Sequence, residues 1–205
     1  MAFASLPEKI ILAVLICASL AGFWVRFNRV LKIIRAAKPD AEFRLGDLAP
    51  RLRDFIWEVL FQGKVIQQRP LAGAAHAFVF WGFLAFGLIT VNHIATGFGL
   101  PLLSRESGFG LVYFGLVAVF AVLVAVSISY LAVRRFIFRP LWLGKVAPES
   151  GIIAGLILAL MLTYLAGLAL PETTLAGHAV WWLHTLALLI FLPLIPHTKH
   201  LHLVL

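Results

Sequence analysis

Five stretches of this sequence, residues 8–27, 71–96, 109–133, 150–169 and 178–197, are predominantly apolar and long enough to cross a bilayer core, which takes roughly 20 residues of α-helix. In hydrocarbon no water meets a free N–H or C=O, so a spanning segment must satisfy its backbone internally. Segments of this length do so as helices. The chain is therefore expected to be an all-α membrane protein, a five-transmembrane-helix bundle forming one domain over 1–205. Composition supports this: 62% of residues are hydrophobic, 13% are charged and mean hydropathy is +0.99. An ordinary soluble domain carries about 25% charged residues.

The net charge of +8 raises the question of nucleic acid. The charges argue against it, because they sit in the connections between apolar segments, where a basic face toward anionic lipid accounts for them. Of the seventeen Lys and Arg, fifteen fall at Arg26, within 28–70, within 134–149, or at Lys199. Only Lys9 and Arg105 fall on the other side. The positive-inside rule then puts the N-terminus outside and the C-terminus in the cytoplasm, with the chain in the cell's inner (cytoplasmic) membrane.

Residues 8–27 have a rival reading as a cleaved signal peptide. Glu8 offsets Lys9, and Ile16 before Cys17 is a poor lipoprotein signal, so a retained first helix is expected. Pro39, Gly46 and Pro50 mark 38–50 as loop. From Arg51 to Gln68, Phe55, Val59 and Ile66 oppose Arg53, Asp54, Gln62 and Gln67. That pattern predicts an amphipathic helix at the membrane surface or against a partner. Cys17 is the only cysteine, so these residues hold no internal disulfide and no Cys-ligated iron–sulfur cluster.

Five of the seven histidines lie within 178–202, and histidine in a membrane helix marks a ligand, a proton path or a buried polar pair. His184 and His202 are 18 residues apart; on one continuous helix they share a face, roughly 27 Å apart. On the second span His76 and His93 are separated by roughly 25 Å but by about 100° around the axis. With the topology above, His76 and His202 lie near the cytoplasmic face, and His93 and His184 near the outer face. Each level then holds one imidazole from each of two helices, as a six-coordinate haem requires. Bis-histidine ligation leaves no open site for oxygen or substrate and suits electron transfer. The cofactor expected is haem b, two per chain.

Blander readings stand beside this one. A membrane histidine is often a buried polar contact. His197 and His200 are placed with Lys199 at the headgroup level. His178 reads as an interfacial residue beside Trp181 and Trp182, as a neighbour of the outer ligand, or as part of a quinone pocket. Gly73, Ala74, Ala75 and Ala77 around His76 allow either close approach of a flat macrocycle or ordinary helix packing.

His184, Ile195-Pro196-His197-Thr198-Lys199 and His202 resemble the last helix of the gamma subunit of respiratory nitrate reductase, a dihaem cytochrome b with five spans. His76 falls at that family's inner ligand. Its other ligand on that helix lies ten residues on, where this chain has Phe86; His93 stands seven further along. A closer likeness is to the membrane domain of heterodisulfide-reductase-like iron–sulfur oxidoreductases. It rests on Trp57-Glu58-Val59-Leu60-Phe61-Gln62, Lys64-Val65, Arg69-Pro70, Gly73, His76 and Phe80-Trp81-Gly82-Phe83. Ile195-Pro196, Thr198-Lys199-His200 and His202 resemble its ending.

The resemblance implies a membrane cytochrome b subunit that passes electrons between a cytoplasmic iron–sulfur partner and the (mena)quinone pool. Electron-transfer flavoprotein is implied as a further donor. The family's cytochrome part often continues into a cysteine-rich domain. The sequence ends three residues after His202, so that domain is expected to be absent or on another polypeptide. The rival reading is a haem-free membrane anchor subunit of a respiratory complex.

Overall fold

Ser5 and Glu8 start the first helix as a capping box: Glu8 Oε2 accepts the Ser5 backbone N–H at 2.8 Å and its hydroxyl at 2.7 Å. From there the computed structural model describes residues 5–38, 42, 44, 46–171, 173–198 and 201. The α-helices are α1 (Leu6–Ala36), α2 (Leu48–Asp54), α3 (Gly63–Gln68), α4 (Pro70–Gly97), α5 (Gly108–Val133), α6 (Pro148–Ala169) and α7 (Leu175–His197). Five of them, α1 and α4 to α7, are long and apolar enough to span a membrane, the mark of a multi-pass membrane protein. No strand occurs among the described residues. Local signals start the long helices. Proline stands in the first turn of α1, α4 and α6. The Ser107 and Thr174 hydroxyls accept the Gly110 and Gly177 N–H groups, each at 3.0 Å.

The long helices alternate in direction. α4 packs on α5, α5 on α6, α6 on α7, and α7 on α1. Phe86, Val117, Ala121, Val124, Leu160 and Tyr164 form the central core. Gly82 lets α5 approach closely, since a Cβ there would collide with Val124. The outward face is equally apolar: Val112, Val119 and Val126, seven residues apart along α5, are 72%, 58% and 65% exposed. A soluble protein does not leave such a stripe in water, and lipid is the solvent that suits it.

α1 joins the bundle through one proline. Pro193 has no N–H, so the Leu189 carbonyl loses its helical donor. Ser19 of α1 takes its place, donating its hydroxyl at 2.7 Å. Gly22, one turn further, leaves room for the Pro193 ring, which a Cβ would meet at 3.2 Å.

Three expectations change. α7 does not run on to His202 as one helix. It ends at His197, and Thr198 is extended (φ −123°, ψ 178°). Pro193 and Pro196 remove two donors from its last turns, and the His197 ring occupies the Pro193 carbonyl through Nδ1 at 2.7 Å. The phase argument linking His184 to His202 therefore does not hold; His202, His200 and Lys199 lie outside the described residues. Residues 51–68 are not one helix either. A π-helical turn at Phe55–Leu60 leads to Gln62 in the left-handed region (φ 55°), and α3 starts anew at Gly63. Gly63 is needed there because Trp57 lies where its side chain would be. Finally, α1 continues through Arg26, Arg29, Lys32 and Arg35 to Ala36, since Arg and Lys are good helix formers once outside hydrocarbon.

Candidate functional site

The ends of the bundle differ in charge. The N-termini of α1 and α7 and the C-termini of α4 and α6 form the charge-poor end, where Lys9 and Arg105 are the basic residues. At this end α4 and α7 meet through side chains, with a cavity of about 600 Å³ beside them. Its lining includes His93 and Thr96 from α4, Thr163 and Tyr164 from α6, His184 from α7, and Arg105 from the α4–α5 connection.

The structure brings His93 and His184 together. Their ring centroids are 4.8 Å apart at 61°, and His93 also stacks on Trp181 at 4.8 Å. Two threonines hold the rings. Thr163 donates its hydroxyl to the Ala159 carbonyl at 2.6 Å, so it accepts from His184 Nδ1 at 2.8 Å. Thr185 donates to the Trp181 carbonyl at 2.9 Å and accepts from His93 Nε2 at 2.8 Å. A hydroxyl has a single proton, so these bonds assign the tautomers. His184 carries its proton on Nδ1 and keeps the Nε2 lone pair; His93 is the reverse.

The pair meets part of what a haem needs. Donor type and pairing from two helices fit. His184 would ligate through Nε2, with Nδ1 oriented by Thr163. His93 could ligate through Nε2 only by giving up Thr185. An iron between the rings would need each nitrogen at roughly 2 Å, so the touching imidazoles must also part. Among the described residues no three His, Cys, Asp or Glu side chains gather as a metal group, and a bis-imidazole site needs none.

The other candidates lie elsewhere. His76 is partly buried on α4 near the basic end, between the buried Ala75 and Ala77. Gly73 nearby answers to helix packing: a Cβ there would strike the Val65 carbonyl of α3. Phe86 is core, edge-on to Tyr164 at 4.9 Å. His197 is exposed. His178 does not line the cavity; its Nε2 lies 2.6 Å from Glu8 Oε1, which also accepts the Trp182 N–H at 3.3 Å.

Reading the sequence missed Thr163, Thr185, Arg105 and Asn92. Buried Asn92 accepts the Leu102 and Leu103 N–H groups through Oδ1, at 2.9 and 2.7 Å, and so fixes the connection that carries Arg105. Polar residues within apolar helices were the available signal.

An all-helical chain with five membrane-length helices and a polar cavity at one end belongs among multi-pass membrane proteins in class. Comparison with known proteins relates it to oxidoreductases. It is 25% identical, over 97% of its length, to an "EtfAB:quinone oxidoreductase" of Syntrophomonas wolfei subsp. wolfei, covering 33% of that protein. It is 29% identical, over 73% of its length, to the "Probable iron-sulfur-binding oxidoreductase FadF" of Bacillus subtilis (strain 168), covering 25% of that protein. The chain thus spans a third or less of these curated relatives. No family model and no solved structure matches it.

Proposed function

We propose that the chain is a membrane cytochrome b subunit that moves electrons between a cytoplasmic iron–sulfur partner and the (mena)quinone pool. The observation that carries this is the His93–His184 pair, delivered by two membrane-length helices to the wall of one cavity. Likeness along nearly the whole chain to an EtfAB:quinone oxidoreductase supports the quinone side of the reading and electron-transfer flavoprotein as a donor. The printed name of the Bacillus relative supports the iron–sulfur side. The charge count supports the basic end as cytoplasmic and the cavity as outer, in a cell's inner membrane.

On this reading His93 and His184 hold an outer haem b, and His76 and His202 an inner one. Bound haem would supply one-electron transfer. The chain's residues do the rest. Thr163 orients His184, Phe114 of α5 and Leu168 of α6 give the cavity apolar lining, and the bundle holds the two levels apart. A reduced-minus-oxidised spectrum of the purified protein tests the proposal. Two b-type signals per polypeptide are expected, and their complete absence sinks it.

A haem-free membrane anchor is the second reading. It is favoured by the engagement of His93 Nε2, which bonds Thr185 while the ring stacks on Trp181, as a buried polar contact should. The same spectrum separates the two.

A further inference from the structure

We propose that Arg105 binds the carboxylate edge of the haem in the charge-poor cavity. The inference rests on the haem reading above and adds the residue that sets the ligand's orientation. Among the described residues that line the cavity, Arg105 is the single charged side chain. Positive charge is scarce at this end of the bundle, so an arginine there calls for a reason other than anionic lipid at the basic face.

Its surroundings leave the guanidinium under-used. It offers five N–H donors, and one makes a long 3.4 Å contact to the Gly167 carbonyl. The rest of the group lies over the Phe114 ring, 5.1 Å from its centroid. No carboxylate contacts it among the described residues. Its position is also built rather than incidental. Asn92, 8% exposed, clamps the connection three and two residues before it, at Leu102 and Leu103, and the Gly167 contact ties it to the end of α6.

The cavity therefore presents imidazole on one wall, apolar side chains from α5 and α6 around it, and one guanidinium fork at its rim. A flat, mostly apolar ligand with an anionic edge matches that distribution. Arginine pairs with carboxylate bidentately, and the propionate edge of haem is such a group. A quinone offers carbonyls to the same fork, and the test separates the two.

The experiment compares the full-length chain with Arg105→Gln and Arg105→Lys, each purified in detergent, by haem per polypeptide and by redox titration of the b-type band. Arg105→Gln should lower haem content toward one per chain. Where the haem stays, its midpoint should fall, because unpaired carboxylates favour ferric iron. About a tenfold drop in the reduced-to-oxidised ratio at fixed potential is expected, ~59 mV for one electron. The second haem should not move, and Arg105→Lys should recover part of the effect. Unchanged haem content and unchanged potentials in Arg105→Gln overturn the inference while leaving the haem reading intact. Loss of quinol-dependent haem reduction with both haem signals unaltered assigns the guanidinium to a quinone and also overturns it. A wild type with no b-type signal overturns the haem reading, and this inference with it.

Discussion

At the charge-poor end, His93 bonds Thr185, His184 bonds Thr163 and the two imidazoles touch, which links α4, α6 and α7, and Glu8 ties α1 to His178 and Trp182 of α7. At the basic end, α7 carries Pro193 and Pro196 in its last turns and stops at His197, and the connections run through π-helical turns at Phe55–Leu60 and Arg134–Phe138. Cations there take carbonyls or exposed carboxylates: Arg135 bonds the Leu143 and Lys145 carbonyls, and Lys64 lies 3.5 Å from Glu58. One end is a built polar site inside the bundle. The other is an exposed basic surface with an apolar fringe, including Leu52, Phe55, Ile137 and Trp142. A histidine on α4 near each end is not enough to make the two levels alike.

The largest effects should come from the histidines, and they break the comparison level by level. His184→Ala or His93→Ala should remove one b-type haem and leave the other. His76→Ala or His202→Ala should remove the second and stop electron delivery from the soluble partner. Pyridine haemochrome assay of the four purified variants reads this directly. A wild type with one haem per chain that is unaffected by His93→Ala would mean the outer site is empty or built from other residues.

Next come the close approaches at the two ends. A Cβ at Gly73 would run into the α3 backbone at Val65 and Ile66, whereas at Gly97 it would meet side-chain atoms of Leu12 and Trp181, at 2.6 and 2.8 Å. Side chains can yield where backbone cannot. Overpacking costs roughly 1–3 kcal/mol, so Gly73→Ala should sit at the upper end of that range and Gly97→Ala at the lower. Thermal unfolding in detergent compares them; equal losses would mean that α3 is free to shift.

How much of this was legible follows from what forces each feature. The five spans were legible because a bilayer demands a length and a composition together. The α4 stretch read as 71–96 is a helix from Pro70 to Gly97. The end of α7 was misread because a period of 3.6 was carried through two prolines, whose missing donors decide the matter. The capping box of Ser5 and Glu8 was readable, yet Glu8 counted only as a charge offsetting Lys9. Thr163 and Arg105 could not be found in one dimension. Their roles depend on where α6 falls against α7 and where the 98–107 connection is pinned, and both are set by packing.

A smaller effect is expected at Thr163. Its hydroxyl fixes His184 with Nδ1 protonated, and a neutral hydrogen bond is worth about 0.5–1.5 kcal/mol. Thr163→Val keeps the shape and removes the bond. Haem content should be nearly retained while the midpoint of one haem moves, since a hydrogen bond on Nδ1 tunes the ligand's basicity. Thr185→Val should do less to the potential and should free His93 Nε2. Identical titrations for wild type and Thr163→Val would show that His184 is oriented by packing alone.

The smallest expected effects lie on the basic end, where the proposed iron–sulfur partner would dock against 51–69 and 134–145. Each charge there is weakly committed. Arg53 and Asp54 form an exposed pair at 3.1 Å, and Arg139 bonds the Phe136 carbonyl at 2.7 Å. An exposed ion pair contributes about 0–1 kcal/mol, so no single reversal should separate a complex. Arg53→Glu, Lys64→Glu and Arg139→Glu together remove three attractions and add three repulsions. The combination should weaken co-purification in detergent, where anionic lipid no longer contributes, and the loss should deepen as salt falls, because like-charge repulsion is then less screened. Lipid attraction as the sole role of these residues predicts the opposite result: full co-purification of the triple variant in detergent and weakened binding to anionic vesicles. In that event the docking surface moves elsewhere on the basic end, to the segment after α7 or to the end of α1 that carries Arg26, Arg29, Lys32 and Arg35.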